Sequence, residues 1–290
     1  MKNNLTILFL LLFKYCNSQL PETDIFLCTI NKSSANFIFS KPKNITDRKG
    51  YDNQPYFTPD GRRILYVSVN DTTQSDIYSY DIEAKVSKQF TDTRESEYSP
   101  SYTKDRKYIS VVRVDADSGQ RFYNLPLNNY KNAVPVKNTD SIGYACWLNE
   151  SLLAMFILGP ANTLQVLNTK TSERRLVASD IGRCMKLSAD ESKMYFVLKS
   201  NLADWYIYAM DCNNYSLTRI TPTLPHCEDF AILPDGSIIM GLEGKLYVFE
   251  NNSEWKMIAD FSKELTDFYR LAVNHDGTLL ALVAFTGKKP

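Results

Sequence analysis

Tyr56-Phe57-Thr58-Pro59-Asp60-Gly61-Arg62-Arg63-Ile64-Leu65-Tyr66-Val67 is a tight turn set between two runs of strand-forming residues. Pro presets φ, Asp hydrogen-bonds its own backbone, and Gly accepts positive φ, so Pro59-Asp60-Gly61 favours a turn for three separate reasons. Ile64 to Val67 are the β-branched and aromatic types that fit a pleated surface, with one Leu among them. The same unit returns as Ile232-Leu233-Pro234-Asp235-Gly236-Ser237-Ile238-Ile239-Met240 and as Val273-Asn274-His275-Asp276-Gly277-Thr278-Leu279-Leu280-Ala281. Weaker copies centre on Asp105, Glu150 and Asp190. The anchors at 60, 105, 150, 190, 235 and 276 are spaced by 45, 45, 40, 45 and 41 residues. Repetition at this period marks a repeat architecture.

The first repeat, from about Gly50 to Thr93, says which architecture it is. Pro55-Tyr56-Phe57 enters the turn and Ile64 to Ser68 leaves it. Asn70-Asp71-Thr72-Thr73 makes a second turn, Asp76 to Asp81 a third strand and Val86 to Thr91 a fourth. Four short antiparallel strands in one period make a propeller blade. Later third strands fall at 120–125, 164–167, 204–210 and 245–249, and fourth strands near 133–136, 174–177, 217–220 and 255–258. No helical period of useful length follows residue 20, and only 261–268 is expected to hold a short helical turn.

The sixth anchor leaves room for only two strands before Pro290. The chain start supplies the missing pair, Asp24 to Ile30 as a third strand and Asn36 to Thr46 as the fourth. Asp24-Ile25-Phe26 matches Asp76-Ile77-Tyr78. The expected fold is therefore an all-β, six-bladed β-propeller of four-stranded blades. Its last blade is closed by N-terminal strands pairing with C-terminal strands, which removes free sheet edges. Residues 19–290, shared among six units at about 45 each, are expected to form this propeller alone.

Pro55-x-Phe57-Thr58-Pro59-Asp60-Gly61-x-x-Ile64-x-Tyr66 with Ser75-Asp76-Ile77-Tyr78-x-Tyr80-Asp81 resembles the TolB-like (WD40-like, PD40-type) propeller repeat. That repeat reads Pro, an aromatic, Ser-Pro-Asp-Gly, a strand, then Asp-Ile-Tyr. The resemblance covers nearly all of the chain after residue 18 and is thinnest in the third copy, where Trp147-Leu148-Asn149-Glu150 replaces the turn. It implies a six-bladed propeller in an exported protein, with protein binding as the default role. The extra N-terminal α/β domain of the Tol-system member, and the hydrolase domain attached to such repeats in prolyl-oligopeptidase-like enzymes, are not expected here.

Residues 1–18 read as a secretory signal peptide. Met1-Lys2-Asn3-Asn4 is a short positive start, and Leu5 to Phe13 is an apolar run too short to span a bilayer. Small residues at Cys16 and Ser18 place cleavage between Ser18 and Gln19, hence a periplasmic or secreted protein with no transmembrane segment in the mature chain. Lipidation at Cys16, the one route to membrane association, fits less well, because Lys14 and Tyr15 occupy positions that a lipobox gives to small or apolar residues. Five cysteines remain, Cys28, Cys146, Cys184, Cys212 and Cys227, an odd number with no Cys-x-x-Cys pair. Cys28, Cys146 and Cys184 read as buried small hydrophobes, and Cys212 with Cys227 is the alternative of a bridge between blades.

Lys+Arg and Asp+Glu both number 33, and no basic stripe is present, which excludes an ordinary nucleic-acid binder. Gly-x-Ser-x-Gly, a phosphate-binding loop and His-Glu-x-x-His are all absent. Of two histidines, His275 takes the Pro position of a turn, and His226 precedes an innermost strand beside Glu228 and Asp229. Neither has a second histidine at an equivalent position, so no catalytic residue, metal site or cofactor is expected. The turn aspartates recur, and recurrence argues for a structural task done once per blade.

Function in a propeller sits at the channel mouth. Seven residues before each anchor stand Asn53, Tyr98, Gly143, Arg183, Glu228 and Tyr269, and Gln54, Glu97, Tyr144, Asp229 and Arg270 extend the ring. These positions differ where the scaffold repeats, which is where specificity is written. Asn53, Tyr98, Arg183, Glu228, Asp229, Tyr269 and Arg270 are the candidate partner-binding residues, and a mix of Tyr, Arg and acids suits a protein or peptide of the cell envelope. The expected protein is a non-catalytic scaffold. The alternative is a propeller hydrolase, lactonase or lyase using a channel site with a divalent cation. Carbohydrate binding, supported by the aromatics alone, is third.

Overall fold

A computed structural model describes residues 20–33, 36–69, 74–201, 204–250 and 254–287. The expected signal peptide, its expected cleavage site and the lipidation alternative at Cys16 lie outside the described residues. The described chain is all-β, with no helix long and apolar enough to cross a membrane.

Four separate antiparallel sheets have four strands each and run in sequence order from an inner strand outward. One consists of Ser96–Tyr102, Tyr108–Val114, Gln120–Pro126 and Val134–Pro135. The other three begin at Ile142–Trp147, Ile181–Leu187 and Phe230–Ile232. A longer sheet runs Phe268–Val273, Leu279–Phe285, Thr23–Lys32, Tyr51–Phe57, Arg63–Val69, Ser75–Asp81 and Val86–Gln89. Its two halves meet at a single parallel bridge, Thr23 to Tyr51. The terminal pairing expected from the sequence is present: Thr23 to Thr29 runs antiparallel to Phe285 to Leu279. Phe37–Phe39 and Lys43–Asn44 then lie along Thr23–Lys32.

Each inner strand packs beside two others. Tyr51–Phe57 neighbours Ser96–Tyr102, which neighbours Ile142–Trp147, then Ile181–Leu187, Phe230–Ile232 and Phe268–Val273, which returns to Tyr51–Phe57. The core lies between sheets rather than within one. Leu65, Val67 and Ile77 of one sheet pack on Ile109, Val111 and Leu125 of the next. Second strands are covered on both faces, so Ile64 to Val69 and Ile109 to Arg113 are buried throughout. The outermost strand Val86–Gln89 is exposed at every residue and carries Lys88, which blunts its open edge.

The turns bear out the local reading. Gly61, Gly236 and Gly277 take φ of 68°, 86° and 73°, while the weaker copies put Arg106 and Glu191 at 58° and 56°. Asp60 Oδ1 accepts the Thr58 hydroxyl at 2.5 Å and the Arg62 N–H at 3.1 Å. Asp105 accepts from Thr103 and Lys107, and Asp190 from Ser188 and Ser192, in the same pattern. In the third copy the anchor is Asn149, not Glu150: its Oδ1 takes the N–H groups of Ser151 and Leu152, both at 2.9 Å. Residues 261–268 hold one helical-type turn, with the Leu265 N–H on the Phe261 carbonyl at 2.8 Å.

The hydroxyl bonds from Thr58, Thr103 and Ser188 are the main reason that Asp60, Asp105 and Asp190 stay below the usual carboxylate range, Asp190 at about 2. A depressed folded-state value stabilises fully above the unfolded value, about 3.9, and the gain disappears as pH falls through the folded value. Stability is therefore expected to drop between pH 4 and about 2, and Asp60→Ala to cost about 1 kcal/mol at neutral pH. Urea unfolding at both pH values reads the two effects. An Asp60→Ala chain that matches the parent at neutral pH counts against the turn bond.

Cys28, Cys146, Cys184 and Cys212 are free thiols, so Cys212 is not bridged to Cys227. Cys28 and Cys184 are buried. Burial pushes the thiols of Cys146, Cys184 and Cys212 up to about 11, so they remain protonated and unreactive at neutral pH.

Candidate functional site

The inner strands are irregular at one level. Their ladders shift register between Asn53 and Tyr56, Tyr98 and Ser101, Ile142 and Tyr144, Ile181 and Met185, and Phe268 and Arg270. Such bulges re-aim side chains and leave backbone groups off the ladder. Gln54 and Ser99 take φ of 57° and 54° there. Side chains supply acceptors for the backbone at this level. The Gln54 N–H donates to Asn53 Oδ1 at 2.8 Å, Ser99 donates its N–H to Gln54 Oε1 at 2.6 Å, and the Arg183 N–H donates to Glu228 Oε2 at 3.3 Å. The last two bonds join neighbouring sheets.

A charged cluster is built on this level. Arg183 pairs with Glu228 at 2.9 Å and forks onto Asp229 through Nε, at 3.3 Å, and Nη2. Lys199 shares Glu228 at 2.7 Å. Arg270 Nε approaches Asp229 only to 3.8 Å. Arg270 Nη2 donates to the Tyr144 hydroxyl at 3.2 Å. Phe268–Val273 and Ile142–Trp147 are three places apart in either direction around the inner strands, so this contact crosses the channel. Tyr269 accepts a hydrogen bond from Asn53, stacks on Phe285 at 4.9 Å and carries the Arg183 guanidinium 5.9 Å from its ring.

Burial opposes charge on Arg270, but Tyr144 and Asp229 favour it, and the balance raises the group above its ordinary value. Arg183 is raised in the same way, chiefly by Asp229 against the cost of burial. Burial also pushes the Tyr51 and Tyr269 phenols up, so both remain hydroxyls at neutral pH.

Beside the cluster is a cavity of about 500 Å³. Gln54, Ser99, Tyr144, Arg183, Asp229 and Arg270 line one end, and Pro59, Lys104, Glu191, Pro234 and His275 line the other. Lys104 and Glu191 pair at 2.6 Å.

Five of the seven candidates from the sequence, Arg183, Glu228, Asp229, Tyr269 and Arg270, meet in this cluster, and Asn53 is buried behind Tyr269. Tyr98 instead packs among apolar residues between sheets. The cavity wall begins mainly six residues before the anchors rather than seven, at Gln54, Ser99, Asp229 and Arg270, with Tyr144 five before Asn149 and Arg183 seven before Asp190. A one-residue step changes the face of a strand, and the bulges decide which face looks inward. Glu97 points away from the cavity and is buried against Arg113. Lys199 escaped the sequence reading because it belongs to a second strand, Lys193–Lys199, which the inner-strand count never visits. His226 is exposed, edge-on to Trp205 at 6.3 Å. Among the described residues no three His, Cys, Asp or Glu side chains gather as metal ligands do.

No family model and no curated protein matches the chain. Solved structures do. A candidate TolB from Agrobacterium tumefaciens superposes with a TM-score of 0.69 at 11% identity, over 93% of this chain and 100% of that one. TolB from Acinetobacter baumannii gives 0.61 at 15% identity over 92% of this chain, which spans 65% of that protein's length. An oligogalacturonate lyase in complex with manganese gives 0.60 at 16% identity, over 86% of this chain and 82% of that one. At such identities the likeness is one of fold.

Proposed function

Starting from the premise that the fold is that of the TolB-like β-propellers, we propose that this protein is an exported, non-catalytic binding module that holds a peptide segment of a cell-envelope partner in its channel. We infer six blades, counting the long sheet as two that meet at the Thr23–Tyr51 bridge. The observation that carries the binding reading is the wall of the cavity. Two arginines and a tyrosine stand at one level of an otherwise repetitive ring, beside a cavity of about 500 Å³. That size falls within the range of about 300–1,000 Å³ typical of small-ligand sites. Arg and Tyr are the residues that concentrate binding energy at interfaces.

The enzyme reading takes its support from the manganese-bound lyase among the neighbours. The residues at this level do not fit a divalent cation. Asp229 and Glu228 are already bonded to Arg183, with Lys199 on Glu228 and Arg270 close to Asp229. A cation there would meet two guanidinium groups and an ammonium. Among the described residues no nucleophile with an adjacent base lines the same level.

Capture from envelope extracts on the immobilised protein tests the binding reading. A partner held by the parent chain is expected to be lost, or weakened about tenfold or more, with Arg183→Ala or Tyr144→Ala. A captured partner that every channel variant retains rejects the site.

A further inference from the structure

The charges at the Arg270 end of the cavity do not balance. Arg183, Lys199 and Arg270 face Glu228 and Asp229, which leaves one positive unit. The excess belongs to Arg270. Asp229 is forked by Arg183, and Glu228 is shared between Arg183 and Lys199. Arg270 is 12% exposed, and its Nε is buried with no hydrogen-bond acceptor among the described residues. Among the described residues only one of the five guanidinium N–H donors is engaged, by the Tyr144 hydroxyl. That hydroxyl accepts from Arg270, so its own proton remains to be donated. A buried cation left this short of acceptors is costly unless something supplies them.

We propose that this end of the channel is a carboxylate subsite: one carboxylate of the bound peptide seats against Arg270, with the Tyr144 hydroxyl and Arg183 beside it. The assignment rests on the peptide-binding reading above and names the end group that the channel selects. Guanidinium forks match carboxylate oxygens in pairs. A monoanion completes the charge count, whereas a phosphate dianion would leave a surplus negative charge beside Asp229 in a poorly solvated place. The contact between Arg270 and Tyr144 crosses the channel, so a segment entering from the end of Pro59, Pro234 and His275 stops there rather than threading through. A stop of this kind suits a chain terminus or the tip of an acidic side chain.

The test follows the arginine Nε–H resonances of the ¹⁵N-labelled full chain at constant chloride. The probes are N-acetyl-trialanine as the free acid, the same peptide as its amide, N-acetyl-Ala-Asp-Ala-amide, and inorganic phosphate. A saturable shift of the Arg270 resonance with the free acid assigns a C-terminal carboxylate, and one with the Asp peptide assigns a side-chain carboxylate. In either case the neutral amide is expected to bind at least tenfold more weakly. Arg270→Lys keeps the charge without the fork and is expected to weaken the carboxylate about tenfold, with the dispersion of its spectrum reporting the fold. Equal binding of amide and acid overturns the subsite and leaves peptide binding standing. Phosphate binding as tightly as carboxylate overturns it in favour of a general anion site. Arg270 resonances that no probe moves also overturn it. Peptide binding itself stands or falls separately, on the envelope capture.

Discussion

Glu97→Ala is expected to lower the unfolding free energy by about 3–5 kcal/mol, while Glu97→Leu with Arg113→Met in one chain regains most of that loss. Glu97 is wholly buried and Arg113 is 11% exposed on the facing strand, where the two are direct cross-strand partners. Arg113 Nη2 reaches Glu97 Oε1 at 2.9 Å, and the Thr93 hydroxyl donates to the same oxygen at 2.7 Å. The guanidinium lies 4.8 Å from the Tyr123 ring centre. Removing the acid alone leaves a cation where water has little access, and the Tyr123 face replaces only part of a carboxylate. The pair is also incompletely satisfied, since Glu97 Oε2 and Arg113 Nε are buried with no hydrogen-bond partner among the described residues. Desolvating both ions therefore returns less than it could, and an apolar pair of similar volume competes well with it. Urea unfolding of the two single variants and the double chain, read as a mutant cycle, measures the coupling. A single-variant cost below about 1 kcal/mol would place the pair among ordinary solvated bridges.

The same residue shows what the sequence conceals. Glu97 looked like a rim residue by its distance from Asp105, yet it faces the second strand of its own sheet. Strand alternation gives the inward face only if the register is unbroken, and here it breaks at Gln54 and Ser99, neither of them glycine. Nothing in the local composition announces those bulges, so the inner ring was legible to within one residue and no closer. The turns were legible because their bonds are local: Asp60 finds its partners two residues away on either side. Even there the third copy slipped, since Asn149 makes the same turn one place earlier than the spacing from Asp105 indicates. The terminal strand was legible through a repeated task. Ile25 donates its N–H to the Thr46 hydroxyl as Ile77 does to Thr91, and the similar triplets starting at Asp24 and Asp76 carry that geometry. The contact between Arg270 and Tyr144 joins residues far apart in the chain across the ring, and no period records it.

Deleting residues 1–32 is expected to abolish cooperative folding, the largest loss any single change here should produce. The strand Thr23–Lys32 pairs with Leu279–Phe285 over seven residues and places Ile25, Cys28 and Ile30 in the core at 3% exposure or less. Ile25 belongs to one inter-sheet cluster, Cys28 and Ile30 to another, so the deletion opens two cores together. It also uncovers Leu279-Leu280-Ala281-Leu282-Val283-Ala284-Phe285, an uncharged apolar strand that would present an open edge for other chains to pair with. Aggregation should therefore accompany the loss of structure. A milder change makes the argument quantitative: Ile25→Ala, at a fully buried position, should cost about 2–5 kcal/mol. A synthetic peptide of residues 20–33 added to the deleted chain during refolding should restore solubility and near-ultraviolet dichroism, because the missing element acts through pairing and packing and needs no covalent link. A deleted chain that unfolds cooperatively at the parent's temperature would show that the ring stands without its terminal strand, and the closure inferred from Asp24-Ile25-Phe26 would then be a contact of no energetic consequence.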